Sequence, residues 1–94
     1  MKNTNALSIA LYHTSHCPYC AQVRKVINEL NTNIVLHDIY RDTTKAKELV
    51  KSGGKRQVPC LRINTIDGQA KWLYESQDII NYLRKHSQDF EQVA

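Results

Sequence analysis

Cys17 and Cys20 enclose two residues in the segment Cys17-Pro18-Tyr19-Cys20. Two cysteines at this spacing can form a disulfide with each other, take turns in thiol–disulfide exchange, or contribute two ligands to a metal ion. Cys60 is the third cysteine, and three cysteines make an incomplete framework of structural disulfides. The Cys17–Cys20 pair is therefore the first candidate for chemistry, as a redox pair or as part of a metal site.

The residues around the pair predict which sulfur reacts first. Pro18 suits the first position of a helix, and Cys20, Val23 and Ile27 follow at helical spacing. Cys17 would then lie at the helix N-terminus, where unpaired N–H groups and the positive end of the helix dipole stabilise a thiolate. Cys20 lies one turn further in and is expected to be more buried. We predict Cys17 as the nucleophile and Cys20 as the cysteine that resolves a mixed disulfide.

A structural zinc site is the alternative interpretation of this pair. Such a site takes four ligands, commonly from two closely spaced pairs. The sequence has no second pair of this kind, and the other nominal ligands are scattered: His13, His16, His37 and Cys60. The ligand spacing therefore favours redox chemistry, and no bound metal is predicted.

Pro59 interrupts a segment, residues 58–63, that otherwise has the pattern of a strand. Proline removes a hydrogen-bond donor from the ladder and argues against a central position in a sheet. A cis peptide before Pro59 would resolve this conflict. The N–H and C=O of Val58 would then be free to hold an extended thiol peptide by strand-like hydrogen bonds. The alternative is an edge strand with an ordinary trans proline.

Hydrophobic patterns predict the elements that position the cysteine pair. Apolar residues alternate with others over residues 7–12, which is typical of a strand that leads into the cysteine loop. The helix that begins at Pro18 is expected to end near residues 31–33. The apolar run at residues 34–39 is typical of a central strand covered on both faces. These elements form a βαβ unit and hence a parallel pair of strands.

A second helix and a hairpin are predicted next. Asp42, Thr43 or Thr44 can cap the helix, and Gly53-Gly54 supplies its end. Residues 58–63 and 70–74 predict two strands joined by a turn at Asp67-Gly68.

Ser76 is expected to cap a last helix, which ends in the basic residues 84–86. Residues 87–94 are expected to form a frayed tail. The predicted fold class is therefore α/β, with a four-stranded mixed β-sheet flanked by three helices in the order βαβ-αββα.

Length and composition fit one globular domain. The chain has 94 residues, of which 41% are hydrophobic and 23% charged. We predict a single domain over residues 1–94 with its core at about residues 7–86. Apolar runs such as residues 34–36 are far shorter than the roughly 20 residues that cross a bilayer, so no membrane association is expected. Residues 1–6 lack the features of a secretory signal, which favours a cytoplasmic location.

Positive charge is concentrated in the middle of the chain. The net charge is +4, and seven Lys or Arg lie between Arg41 and Thr65 against only Asp42 and Glu48. Such a stretch would attract an anionic ligand or partner. It contains no aromatic residue on which a base could stack, which argues against a nucleic-acid partner.

Together these features resemble glutaredoxins. The resemblance is carried by Cys17-Pro18-Tyr19-Cys20 between a strand and a helix, by Val58-Pro59 at the start of a hairpin, and by the last helix; it covers residues 7 to about 86. It implies a thioredoxin-like fold that binds glutathione, with Pro59 in cis and Val58 pairing with the cysteinyl backbone of the tripeptide. Many glutaredoxins carry Lys or Arg where this chain has Thr14, which leaves three residues that can favour the thiolate instead: His13, His16 and Arg24.

The resemblance also implies which residues contact glutathione. Tyr19 packs on the bound tripeptide, and Arg56 holds its glycyl carboxylate. Ser76 and Gln77, at the start of the last helix, hold the γ-glutamyl carboxylate, for which free helix N–H groups are suited. Glu75-Ser76 also resembles the glutamyl-binding pair of glutathione S-transferase N-terminal domains.

The expected activity is that of a glutathione-dependent thiol–disulfide oxidoreductase. It would act on disulfide-containing or glutathionylated proteins, as a monomer, with glutathione as reducing co-substrate and no permanently bound cofactor. Two alternatives remain open. The chain could bind an iron–sulfur cluster through Cys17 and glutathione in a dimer, or it could be a glutathione-binding module related to glutathione S-transferases.

Overall fold

The structure is a computed structural model that describes residues 6–32, 34–65 and 67–86. The described residues form a strand, a helix and a second strand, followed by a second helix, a hairpin and a third helix. The second helix continues directly into a π-helical turn. The bounds are β1 Ala6–His13, α1 Pro18–Leu30, β2 Val35–Asp38, α2 Thr43–Glu48, the π-helical turn Leu49–Gly53, β3 Cys60–Thr65, β4 Ala70–Leu73 and α3 Ser76–His86.

The strands form one four-stranded sheet in the order β2-β1-β3-β4. β1 pairs parallel with β2 and antiparallel with β3, and β3 pairs antiparallel with β4. The predicted α/β class, the mixed sheet and the βαβ-αββα order are therefore confirmed.

Alternation along β1 divides the core into two layers. Ile9 and Leu11 face α1 and α3, whereas Ala10 and Tyr12 face α2 on the opposite side of the sheet. Successive side chains of a strand point to opposite faces, so one strand contributes to both layers. The layer under α1 and α3 fixes those two helices against each other, and their N-termini carry the residues of the candidate site.

A polar cluster joins the sheet to α2. The Tyr12 hydroxyl donates to Glu48 Oε1 at 2.5 Å, and Arg62 Nη1 lies 3.6 Å from Glu48 Oε2. The Arg62 guanidinium also lies over the Trp72 ring, 5.0 Å from its centroid. Burial, followed by the hydrogen bond to Glu48, raises the pKa of Tyr12 to about 12. Tyr12 therefore remains a neutral donor that helps to fasten α2 to the sheet.

The prediction of a central strand at residues 34–39 is wrong. Strand β2 covers only Val35–Asp38, and it lies at the edge of the sheet because its one neighbour among the described strands is β1. β3 pairs with the other side of β1. Val35 and Leu36 are accordingly 54% and 45% exposed, while Ile34 and Ile39 are buried. An apolar run shows that a segment is partly buried, but the order of the strands depends on contacts between distant segments.

Several element ends differ slightly from the predictions. Asp42 caps α2, with its carboxylate accepting from the Lys45 N–H at 3.2 Å. The π-helical turn that continues α2 ends at the predicted glycines, with Gly54 at φ 95°. Ser76 is the first residue of α3 rather than its cap, because Glu75 C=O already accepts from the Ile79 N–H. The predicted tail at residues 87–94 lies outside the described residues. None of the described helices is long and apolar enough to cross a membrane.

Candidate active site

The cysteine loop connects the end of β1 to the start of α1. Cys17 is the N-cap of α1, with extended backbone angles of φ −87° and ψ 118°, and Pro18 follows as the first helical residue. The Cys17 sulfur accepts a hydrogen bond from the Cys20 N–H at 3.4 Å. Both cysteines are free thiols, Cys17 partly exposed and Cys20 fully buried. A helix N-terminus thus directs its free N–H groups at an accessible sulfur.

The two thiols differ in acidity. Partial burial opposes ionisation of Cys17, but hydrogen bonds from the Cys20 thiol and from the backbone of Cys20 and Tyr19, together with the Arg24 charge, lower its pKa below the ordinary value. For Cys20, burial dominates and raises the pKa to about 11. The geometry therefore favours ionisation of Cys17 and a protonated Cys20.

Arg24 is held against the cysteine loop by two contacts. Its Nη1 donates to the Thr14 C=O at 3.0 Å and lies 2.9 Å from His13 Nδ1. Because arginine keeps its proton, His13 Nδ1 must accept here, so the buried imidazole is neutral. Burial and then the Arg24 charge lower the pKa of His13, in agreement with that state. Of the three residues considered as substitutes for a cation at Thr14, Arg24 is the one whose fixed charge favours the Cys17 thiolate.

We expect an Arg24→Gln variant to raise the pKa of Cys17. The thiolate is the reactive form, and its fraction at a given pH falls as the pKa rises. The rate of thiolate reactions at neutral pH should therefore fall by roughly twofold to tenfold, and the pH–rate curve should move toward alkaline pH. Ultraviolet absorbance of the thiolate, followed through a pH titration, measures this directly.

Arg84→Gln is the matched control for this change in charge. Arg84 lies in the last turn of α3, and its Nη2 is 3.4 Å from Glu29 Oε1. Replacing it with glutamine removes the same unit of positive charge as Arg24→Gln. An equal shift of the Cys17 titration in both variants would show that net charge acts at long range and that the position of Arg24 is unimportant.

A cleft of about 330 Å³ opens beside the cysteine loop. Its walls come from the start of α1, the segment before β3, and the junction of β4 with α3. The lining residues are Tyr19, Gln57, Val58, Pro59, Tyr74, Glu75 and Ser76. The volume falls within the range of small-molecule sites. The Cys17 Sγ lies 4.0 Å from the Val58 C=O, so the sulfur and this wall of the cleft are in contact.

The Val58–Pro59 peptide bond is cis, as predicted. Pro59 lies just before β3 rather than inside it, which removes the conflict with the strand pattern. Apart from the contact with Cys17, the backbone of Val58 makes no hydrogen bond within the described residues. Its N–H and C=O are thus available to a ligand lying in the cleft.

The start of α3 closes the other end of the cleft. Ser76 is the first helical residue, and Glu75 directly precedes it. The first N–H groups of a helix have no partner inside the helix, and they lie at the positive end of its dipole. A carboxylate in this part of the cleft would therefore be stabilised.

The structure brings most of the predicted site residues together and leaves two at its margin. Tyr19, Val58, Pro59, Glu75 and Ser76 line the cleft. The two predicted glutathione contacts outside the lining are Arg56, which is exposed, and Gln77, whose side chain donates to Asn81 along α3.

Sequence reasoning missed two lining residues, Gln57 and Tyr74. Each directly precedes a residue pair that the sequence did single out, Val58-Pro59 and Glu75-Ser76. That adjacency was the one signal available. A side chain one position away usually points elsewhere in a strand, but the irregular backbone before β3 and after β4 directs both residues to the cleft.

The remaining nominal ligands of a metal do not gather at the site. Cys60 is fully buried, and burial raises its pKa to about 12, as expected for a small core residue. His16 is exposed in the loop before Cys17. Within residues 6–32, 34–65 and 67–86, no three side chains of His, Cys, Asp or Glu come close enough together to hold a metal ion.

Comparison with known proteins places this architecture in a family. A family model described as the glutathione S-transferase N-terminal domain matches residues 11–89, which is most of the chain. The chain belongs to this family. The part of the chain that the family model matches includes β1 from Leu11 onward, the cysteine loop, the hairpin and α3. The predicted resemblance to such domains is confirmed.

A curated relative connects the same domain to glutaredoxins. The chain is 33% identical to glutaredoxin 1 of Rickettsia felis over 63 residues, which are 63% of this chain and 60% of the relative. The aligned part therefore spans somewhat less than two thirds of that relative's length. Together with the family match, this relative confirms the predicted resemblance to glutaredoxins.

Solved structures show the same fold at low sequence identity. Wheat glutaredoxin superposes with a TM-score of 0.67 at 20% identity, covering 95% of this chain and 87% of that one. Glutathione transferase Omega 2S of Trametes versicolor gives a TM-score of 0.70 at 17% identity, covering 87% of this chain and 37% of that one. A buckwheat glutaredoxin–glutathione complex gives 0.61 at 17%, covering 86% and 71%. The thioredoxin-like fold of this domain is thereby confirmed.

Proposed function

We propose that the chain is a glutathione-dependent thiol–disulfide oxidoreductase. The observation that carries this proposal is the position of the Cys17 sulfur: it lies at the N-terminus of α1, with a lowered pKa, 4.0 Å from the Val58 C=O at the wall of a cleft. A thiolate in such a place reacts with disulfides. The membership in a glutathione S-transferase N-terminal domain family and the glutaredoxin relative support glutathione as the thiol.

In the first step, the Cys17 thiolate attacks the glutathione sulfur of a glutathionylated substrate. The Cys17–glutathione disulfide forms as the bond between glutathione and the substrate breaks, and the substrate leaves as a thiolate that takes a proton from water. The thiolate of a second glutathione then attacks the glutathione sulfur on Cys17. Oxidised glutathione leaves, and Cys17 returns to its thiolate form.

Protein disulfides would use both cysteines. Cys17 attacks one substrate sulfur to form a mixed disulfide, and Cys20 displaces the product to form a Cys17–Cys20 disulfide. Two glutathiones then reduce this disulfide. Cys20 is fully buried with its pKa near 11, so it fits the role of a second nucleophile that acts only inside the mixed disulfide.

The cleft suggests how glutathione is oriented. The Val58 N–H, and the Val58 C=O once Cys17 has lost its thiol proton, pair with the cysteinyl residue of the tripeptide, which places its sulfur at Cys17. The N–H groups at Ser76 receive the γ-glutamyl carboxylate, and Glu75 faces its ammonium group. Tyr19 covers the ligand from the α1 side. Arg56 and Gln77 lie next to the lining and would take part only as secondary contacts at the two carboxylates.

Turnover of a glutathione mixed disulfide, coupled to glutathione reductase, tests this function. We expect turnover with the mixed disulfide and none with a model electrophile that reports glutathione transfer. The opposite pattern would favour a transferase-related module. Iron in stoichiometric amount and visible absorption in freshly purified protein would favour a cluster-binding role. The monomeric state, the single domain over residues 1–94 and the cytoplasmic location stay predictions.

A further inference from the structure

We propose that Tyr74 is a positioning residue that holds one wall of the glutathione cleft in place. It acts on the rim loop, defined here as residues 54–57, which connects the π-helical turn to Val58. The inference rests on the proposed function, because it concerns how the same cleft binds glutathione. It assigns a task to a side chain that neither the sequence motifs nor the catalytic steps use.

The Tyr74 hydroxyl makes two hydrogen bonds to a single residue of the rim loop. It accepts from the Lys55 N–H at 3.3 Å and donates to the Lys55 C=O at 3.2 Å. A hydroxyl can donate and accept at once, so one oxygen satisfies both backbone groups of Lys55. The loop is thereby fixed in position and in orientation, since a single bond would still allow it to rotate.

Packing around the hydroxyl reinforces this contact. The Lys55 ammonium lies over the Tyr74 ring, 5.2 Å from its centroid. On the other side, Gly53 approaches so closely that a Cβ there would overlap the Tyr74 hydroxyl and would lie 2.9 Å from Trp72 Cε3. The backbone reaches the hydroxyl only because residue 53 has no side chain.

The rim loop has few other restraints. It lies between the π-helical turn and β3, begins at Gly54 with φ 95°, and its next three residues are exposed. Its last residue, Gln57, lines the cleft together with Val58, and Tyr74 lines the same cleft from the junction between β4 and α3. A shift of Lys55 would therefore move the backbone that receives the cysteinyl residue of glutathione, as well as the cations near its glycyl carboxylate.

Tyr74→Phe tests the proposal, since it removes the hydroxyl and keeps the ring under Lys55. We expect faster hydrogen exchange of the Lys55 amide and a rise of about threefold to tenfold in KM for the glutathione mixed disulfide, as is typical of one or two lost hydrogen bonds. The change in kcat should be smaller than the change in KM, because Tyr74 does not touch Cys17. The thiolate titration of Cys17 should be unchanged.

A control and a second variant separate positioning from a general loss of stability. Tyr12→Phe removes a buried tyrosine hydroxyl that donates to Glu48 on the α2 side of the sheet, and it should leave KM unchanged. Gly53→Ala keeps Tyr74 intact but pushes the rim loop away from its hydroxyl, so it should reproduce the rise in KM.

The outcomes are distinct. Faster Lys55 exchange with a raised KM in Tyr74→Phe supports the proposal. A wild-type KM in Tyr74→Phe overturns it, whether or not Lys55 exchange changes, and so does an equal rise in KM in Tyr12→Phe. Wild-type protein that fails to turn over the mixed disulfide overturns the proposed function itself, which is a different result from active wild-type protein with an indifferent Tyr74.

Discussion

A Cys17→Ser variant is expected to lose turnover of glutathione mixed disulfides by at least about a thousandfold. Serine has nearly the same shape, but its hydroxyl is not ionised at neutral pH and is a poor nucleophile toward a disulfide sulfur. Every step of the proposed cycle forms or breaks a bond to Cys17. The coupled assay with glutathione reductase measures the loss.

Cys20→Ser is the matched control, because it makes the same atomic change three residues away. We expect it to keep turnover of the glutathione mixed disulfide within about tenfold of wild type, since that route needs one cysteine only. Any loss should be modest, because the serine hydroxyl can still donate to the Cys17 sulfur in place of the Cys20 thiol, a hydrogen bond that helps to lower the pKa of Cys17. Reduction of protein disulfides should suffer more. Equal and complete loss in both serine variants with the glutathione substrate would contradict the assignment of Cys17 as sole nucleophile.

The second large effect concerns stability, and it is expected at Leu61. This side chain is fully buried in β3, where it pairs in register with Leu11 of β1 and Leu73 of β4. Leu61→Ala removes buried apolar contacts and leaves a cavity that the two central strands cannot close, so we expect a loss of about 2–5 kcal/mol in the free energy of unfolding. For a domain of this size, Tm should fall by at least about 8 °C.

Leu36→Ala is the control for this change, because it deletes the same atoms from the edge strand β2. Leu36 is 45% exposed, and its replacement should cost less than about 1 kcal/mol. Denaturant titration of both variants gives the comparison. Similar losses at the two positions would mean that β2 is covered in solution, which would contradict its place at the edge of the described sheet.

Strong local signals explain the successful predictions. Pro18 at the first helical position follows from its fixed backbone angle and its missing N–H, so the sequence alone places Cys17 at the start of α1. Asp42 and Gly54 set the ends of the second helical segment by equally local chemistry. The bend at Val58-Pro59 was expected both from the conflict between proline and a strand and from the resemblance to glutaredoxins.

The central-strand prediction failed, and two features of the site stayed open, because all three depend on contacts between distant segments. The apolar run at residues 34–39 indicates burial of the segment, but it does not show which strands lie beside it, so the edge position of β2 was missed. Arg24 was one of three candidates for stabilising the thiolate, and only the fold shows it bound to the Thr14 C=O and His13. Arg56 was expected to hold the glycyl carboxylate; it precedes the lining residue Gln57 but lies outside the lining, so its contact with glutathione stays a prediction.

The sequence by itself determined the place of Cys17 at the start of α1 and the order of strands and helices along the chain, since these depend on spacing, proline and capping within a few residues. Tertiary structure decided the order of strands in the sheet, the charge that accompanies the thiolate, and the cleft whose walls come from three separate segments. Tyr74 and Lys55 are 19 positions apart. They are in contact only because the fold brings the loop after the π-helical turn next to the end of β4. No short-range sequence pattern specifies a contact between residues so far apart.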